Sequence, residues 1–90
     1  MKKHFTIRIS GFVQGVFFRA STKEKADSLQ ISGLVRNEPD GSVYVEAEGE
    51  EEDLKAFIQW CQHGPPRANV QKFELREEEV KKFDAFAIER

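Results

Sequence analysis

The sequence has a single cysteine, Cys61, so no disulfide can close within the chain and a reducing compartment is the simpler setting. Its two histidines, His4 and His63, are separated by most of the chain, and together with one cysteine they offer no metal-ligand spacing. No metal is expected. No apolar run approaches the length that crosses a bilayer, and Met1-Lys2-Lys3-His4 leads directly into an alternating pattern rather than into the core of a signal peptide. The expectation is a cytoplasmic protein with no membrane partner. A large excess of charge is also lacking: 14 basic and 16 acidic side chains leave a formal net charge of −2, without the basic footprint that extended nucleic-acid binding needs. A small anion needs only a local positive site, and so remains admissible.

What is present is the material of one globular domain, residues 1–90, with 39% hydrophobic and 33% charged residues and eight Phe. Residues 4–10 alternate, Phe5, Ile7 and Ile9 on one face and Thr6, Arg8 and Ser10 on the other, as in a strand covered on one side. Residues 20–30 read as a helix with Thr22, Ala26 and Leu29 inward, ended by Gly33. Residues 33–38 and 42–48 flank Pro39-Asp40-Gly41 as a hairpin, with Val43, Val45 and Ala47 inward and Val35 and Asn37 sharing a face. The clearest helix is 50–63: Leu54, Phe57, Ile58 and Cys61 form its stripe, Glu50 to Asp53 suit its positive end, and Gly64-Pro65-Pro66 stops it. Residues 70–77 form a mixed strand, Glu77-Glu78-Glu79 an exposed connection, and 83–89 a last short strand.

One apolar stripe per helix and alternating strands predict an α+β fold. It is a ferredoxin-like βαββαβ sandwich, two helices on one face of an antiparallel sheet, with an additional short C-terminal strand. That architecture serves many functions, so the activity has to be read from a site.

The candidate site is Ile9 to Arg19, where a strand passes to a helix through Gly11 and Gly15 and ends in a cation. Glycines let consecutive N–H groups turn toward one point, the helix start adds the positive end of its dipole, and Arg19 supplies a planar charged fork for anion oxygens. The same residues also suit a plain turn with Val13, Val16, Phe17 and Phe18 as core. A phosphate held here would need a second group to place an attacking water. Asn37 is the candidate, because its amide both accepts and donates; its alternative role is to satisfy the Pro39-Asp40-Gly41 turn. His4 and His63 read as surface or helix-end residues, Cys61 as core filler, and Trp60 with the Phe residues as core.

Gly11-Phe12-Val13-Gln14-Gly15-Val16-Phe17-Phe18-Arg19 resembles the first signature of the acylphosphatases, and Gly33-Leu34-Val35-Arg36-Asn37-Glu38-Pro39-Asp40-Gly41-Ser42-Val43 is similar to their second. Trp60, Gly64-Pro65-Pro66-Arg67-Ala68-Asn69-Val70 and Phe83-Asp84-Ala85-Phe86-Ala87-Ile88 follow in the family's order, so the resemblance covers nearly the whole chain. One departure is Leu34, where the family usually has an aromatic residue. The resemblance implies hydrolysis of small acyl phosphates to a carboxylate and inorganic phosphate, with no cofactor. It places the phosphate on Arg19 and the backbone amides of Gln14, Gly15, Val16, Phe17 and Phe18, and the water on Asn37. A free-standing, monomeric enzyme is expected. Two other readings stay open: a ferredoxin-like RNA-binding module, disfavoured by the acidic balance, and a non-hydrolytic domain of this family that only binds an anion.

Overall fold

The computed structural model describes Met1 to Glu89. Its elements are β1 (Lys2–Phe12), α1 (Phe18–Ser28), β2 (Ser32–Asn37), β3 (Val43–Glu50), α2 (Glu51–Cys61), β4 (Asn69–Glu78) and β5 (Phe86–Ile88). The strands form one sheet in the order β4-β1-β3-β2-β5.

Strand alternation decides the layers. Ile7 and Ile9 on β1, Val35 on β2, and Val43, Val45 and Ala47 on β3 all point to one face, at most 1% exposed. There they pack with Ala26 of α1 and Leu54, Phe57 and Cys61 of α2 in a single core. Burial pushes the Cys61 thiol well above its ordinary range, so it is inert filler as its stripe position suggests.

Two expected features are corrected. The sheet is mixed rather than antiparallel: β5 lies parallel to β2, with Gly33, Leu34 and Val35 opposite Phe86, Ala87 and Ile88. The chain reaches that edge because residues 79–85 leave β4 at one border of the sheet and cross to the other. Gly33, in turn, does not end α1. The left-handed position after the helix is taken by Gln30 (φ 57°), with Gln30 N–H donating to Asp27 and Ile31 N–H to Ala26, the paired bonds of a Schellman motif. Gly33 lies inside β2 at φ 142°, where a Cβ would overlap the Glu46 carbonyl oxygen of the neighbouring strand.

His4 also departs from its expected surface position. It is fully buried on the helix-free face, directly across from Glu48. Its Nδ1 lies 2.9 Å from Glu48 Oε1 and its Nε2 2.9 Å from Glu46 Oε1, and the Phe83 ring stacks on it at 5.7 Å. Glu48 further accepts the backbone N–H groups of Lys81 (2.6 Å) and Phe83 (2.9 Å), which ties the crossing segment to the sheet. At this end of the sheet the polar face of the alternating pattern is thus covered by chain, while Thr6, Arg8 and Ser10 further along it stay half-buried.

Candidate active site

The turn between β1 and α1 is built differently from its sequence appearance. Gly11 belongs to β1, at a register shift against β4, where at φ 128° a Cβ would overlap the Asn69 carbonyl oxygen. It is a bulge glycine and not part of the β1–α1 loop. Gly15 (φ 75°) faces open space and does belong to the loop. The loop buries Val13 and Val16 in the core and turns into α1 through Phe17. Phe17 holds φ 63° and ψ 25°, a left-handed conformation that costs a residue with a Cβ about 1–2 kcal/mol.

Helix α1 starts at Phe18, earlier than its pattern suggests, and no side chain caps it. Its first internal bond is donated by Ser21 N–H to the Phe17 carbonyl (3.0 Å), so the amides of Phe18, Arg19 and Ala20 have no helical acceptor. No acidic residue occupies this first turn, whereas α2 has Glu51, Glu52 and Asp53 in its own. The start of α1 is therefore electropositive and uncompensated.

A cleft of about 390 Å³ opens beside it, lined by Val13, Gly15, Phe17, Phe18, Arg19, Ala20, Asn37 and Ile88. Arg19 and Asn37 thus share one wall, although β1 and β2 are separated by β3. Asn37 shares the helix-side face of β2 with Val35, as their spacing requires, and pairs with Val43. The hairpin turn is satisfied without it: Asp40 Oδ1 accepts from Ser42 N–H (2.9 Å) and Ser42 Oγ (2.6 Å), and Gly41 N–H donates to the Glu38 carbonyl. These bonds from Ser42 hold the Asp40 carboxyl below its ordinary range. Arg8 and Arg36 are committed to Glu38, while Arg19 enters no ion pair among the described residues. Leu34, where the family's aromatic is missing, shares β2's other face with Arg36 and lies away from the cleft.

Gln14 and Val16 are not on the cleft wall through their side chains. Val16 is core, and Gln14 does something its sequence position did not reveal: its Nε2 donates to the carbonyls of Glu38 and Ser42, both at 2.9 Å. That amide bolts the loop leading into α1 and Arg19 to the hairpin next to Asn37. Gln14→Leu is expected to lower kcat/KM for an acyl phosphate about tenfold by loosening this distance, a change that steady-state phosphate release would register. An unchanged kcat/KM would reduce Gln14 to a surface contact. Ile88 was also missed as a wall of the cleft, since only the parallel docking of β5 brings it there. Among the described residues, no group of three His, Cys, Asp or Glu side chains could hold a metal ion, and no helix is long and apolar enough to cross a membrane.

Fold and site together define a ferredoxin-like α+β protein with a cleft between the β1–α1 loop and the end of β2, at the uncapped start of α1. The acylphosphatase sequence pattern matches residues 5–88. The acylphosphatase of Acaryochloris marina is 50% identical over 82 residues, covering 91% of this chain and 88% of that one. That of Methylococcus capsulatus is 44% identical over 89 residues, covering 98% and 97%. The crystal structure of the Bacillus subtilis acylphosphatase superposes with a TM-score of 0.94 at 32% identity over the full length of both chains. This chain belongs to the acylphosphatase family, and its activity is the hydrolysis of acyl phosphates.

Proposed function

We propose that Arg19 and the backbone amides of Gln14 to Phe18 hold the phosphoryl group of a small acyl phosphate, and that Asn37 aims the attacking water. The observation that carries this reading is that Arg19 and Asn37, on separate elements, face one cleft at the uncapped start of α1. In the reaction the water oxygen bonds to phosphorus as the bond from phosphorus to the carboxylate oxygen breaks. The carboxylate departs with that electron pair, and the proton shed by water passes to phosphate or solvent. A carboxylate is a good leaving group, so the protein needs no strong acid; positioning and spreading of charge over fixed donors supply the rate. The same economy supports metal-independent turnover.

We further propose that the enzyme acts as a cytoplasmic monomer without nucleic acid, in keeping with its single buried cysteine and its net charge of −2. The experiment is phosphate release from benzoyl phosphate in the presence of chelator. Turnover is expected in the wild type, with kcat reduced about 10²–10³-fold in Asn37→Ala, the scale of one preorganised hydrogen-bonding group. Undiminished kcat in that variant would release Asn37 from the role, and loss of turnover on chelation would require a metal.

A further inference from the structure

Held as proposed above, the phosphoryl group would take only the polar wall of the cleft. The remaining surface is apolar, and two of its side chains are held out into solvent. Phe17 is 74% exposed and Ile88 40% exposed, and of the exposed large hydrophobic residues, which also include Phe12, Leu75 and Val80, these two line the cleft. Phe17 pairs this exposure with a left-handed backbone, so neither its torsions nor its ring is favoured by the fold itself. Ile88 is placed by β5, a strand of three residues whose inward alternation puts Phe86 in the core and Ile88 one step further along the same face, at the cleft. Hydrogen bonds from Gly33 N–H to the Ala85 carbonyl (3.0 Å) and from Glu89 N–H to the Val35 carbonyl (2.9 Å) fix that strand on both sides of Ile88. The two apolar groups therefore line the same opening as Arg19 and Asn37, one from the anion loop and one from the sheet edge.

We propose that Phe17 and Ile88 form a clamp for the acyl group, so that the enzyme selects acyl phosphates with aromatic or branched apolar acyl groups over acetyl phosphate. This inference rests on the phosphate-holding reading of Arg19, because it is the anchored phosphoryl group that leaves the acyl carbon pointing along the apolar wall. Burial of an acyl group between a ring and a branched aliphatic side chain carries its energy into the transition state, since the same group stays in place while it departs as carboxylate. Benzoate is the weaker base and the better leaving group, so part of any wild-type difference between the two phosphates belongs to the leaving group, and the acyl contribution is read from how the ratio changes in the variants.

The test is the ratio of kcat/KM for benzoyl phosphate to that for acetyl phosphate, in the wild type, Phe17→Gly and Ile88→Ala. The wild-type ratio is expected to be about tenfold or more, and each substitution to cut it severalfold. Phe17→Gly also relieves the left-handed backbone, so its thermal midpoint should hold or rise while discrimination falls, a combination that a purely structural ring would not give. A wild-type ratio near one, or a ratio unchanged in both variants, overturns the clamp alone. Absence of phosphate release from both substrates by the folded wild type overturns the hydrolytic site and the clamp with it.

Discussion

Replacement of Arg19 by alanine is expected to lower kcat for benzoyl phosphate about 10³-fold or more and to leave the thermal midpoint nearly unchanged. The asymmetry follows from where the side chain is committed. Arg19 enters no ion pair among the described residues, and it stands at a helix start that no acidic side chain neutralises. Its removal therefore unmakes little of the fold. The transition state, however, gathers negative charge on the phosphoryl oxygens, and in the proposed role the Arg19 guanidinium is one of the few groups in the cleft able to meet it. A 10³-fold loss corresponds to about 4 kcal/mol of transition-state stabilisation. Arg19→Lys keeps the charge but loses the planar fork and much of the fixed geometry, so it should recover only part of the rate. Single-turnover phosphate release with circular dichroism melts on the same samples checks both halves. A kcat within tenfold of wild type in Arg19→Ala would mean that the loop amides carry the phosphate by themselves.

That Arg19 and Asn37 line one cleft could be anticipated because each stands in a short recognisable segment, a glycine turn leading to Arg19 and a strand ending in Asn37; the catalytic roles proposed for them rest on that shared cleft. The helix stripe of α2 and the alternation of Val43, Val45 and Ala47 were legible for the same reason, since periodicity is a property of neighbours in the chain. What escaped depends on a long path. Glu77-Glu78-Glu79 read as an exposed connection and 83–89 as a strand, yet β4 runs on to Glu78, β5 spans only Phe86–Ile88, and residues 79–85 between them cross the helix-free face of the sheet from one edge to the other. That path makes β5 parallel, delivers Ile88 to the cleft, and turns His4 from a residue on a polar face into a buried one. Gln14 escaped for a related reason: its acceptors, the carbonyls of Glu38 and Ser42, are backbone groups and leave no trace in residue identity.

The crossing segment is held by a charged cluster, and the second large effect is expected there. Glu48→Ala should destabilise the protein by about 3 kcal/mol or more, since it leaves several buried donors without their shared acceptor. Glu48 is 3% exposed and accepts from His4, from Lys81 N–H and from Phe83 N–H, so its loss orphans three donors in one step. For a domain of this size the thermal midpoint should fall by more than about 12 °C. Acid should reproduce the effect gradually. Burial by itself would raise the Glu46 and Glu48 carboxyls. Their hydrogen bonds, from Lys81, Tyr44 and His4 to Glu46 and from Lys81, His4 and Phe83 to Glu48, outweigh it and hold both below the ordinary value of 4.5. A carboxyl bound more weakly to its proton in the folded state than in the unfolded one contributes stability that is complete above the unfolded value and is lost as pH falls through the folded one. Stability should therefore be level above about pH 5 and decline below about pH 4, and Glu48→Ala should flatten that decline. Because the segment continues into β5, the loosening should also release Ile88 from the cleft before the core melts, and the benzoyl-to-acetyl preference should narrow in Glu48→Gln while turnover of acetyl phosphate persists. Urea denaturation across pH with the two substrates assayed in parallel measures all of this. An unfolding free energy in Glu48→Ala within about 1 kcal/mol of wild type would show that the crossing segment is held by Phe83 and its neighbours and not by the carboxylate beneath them.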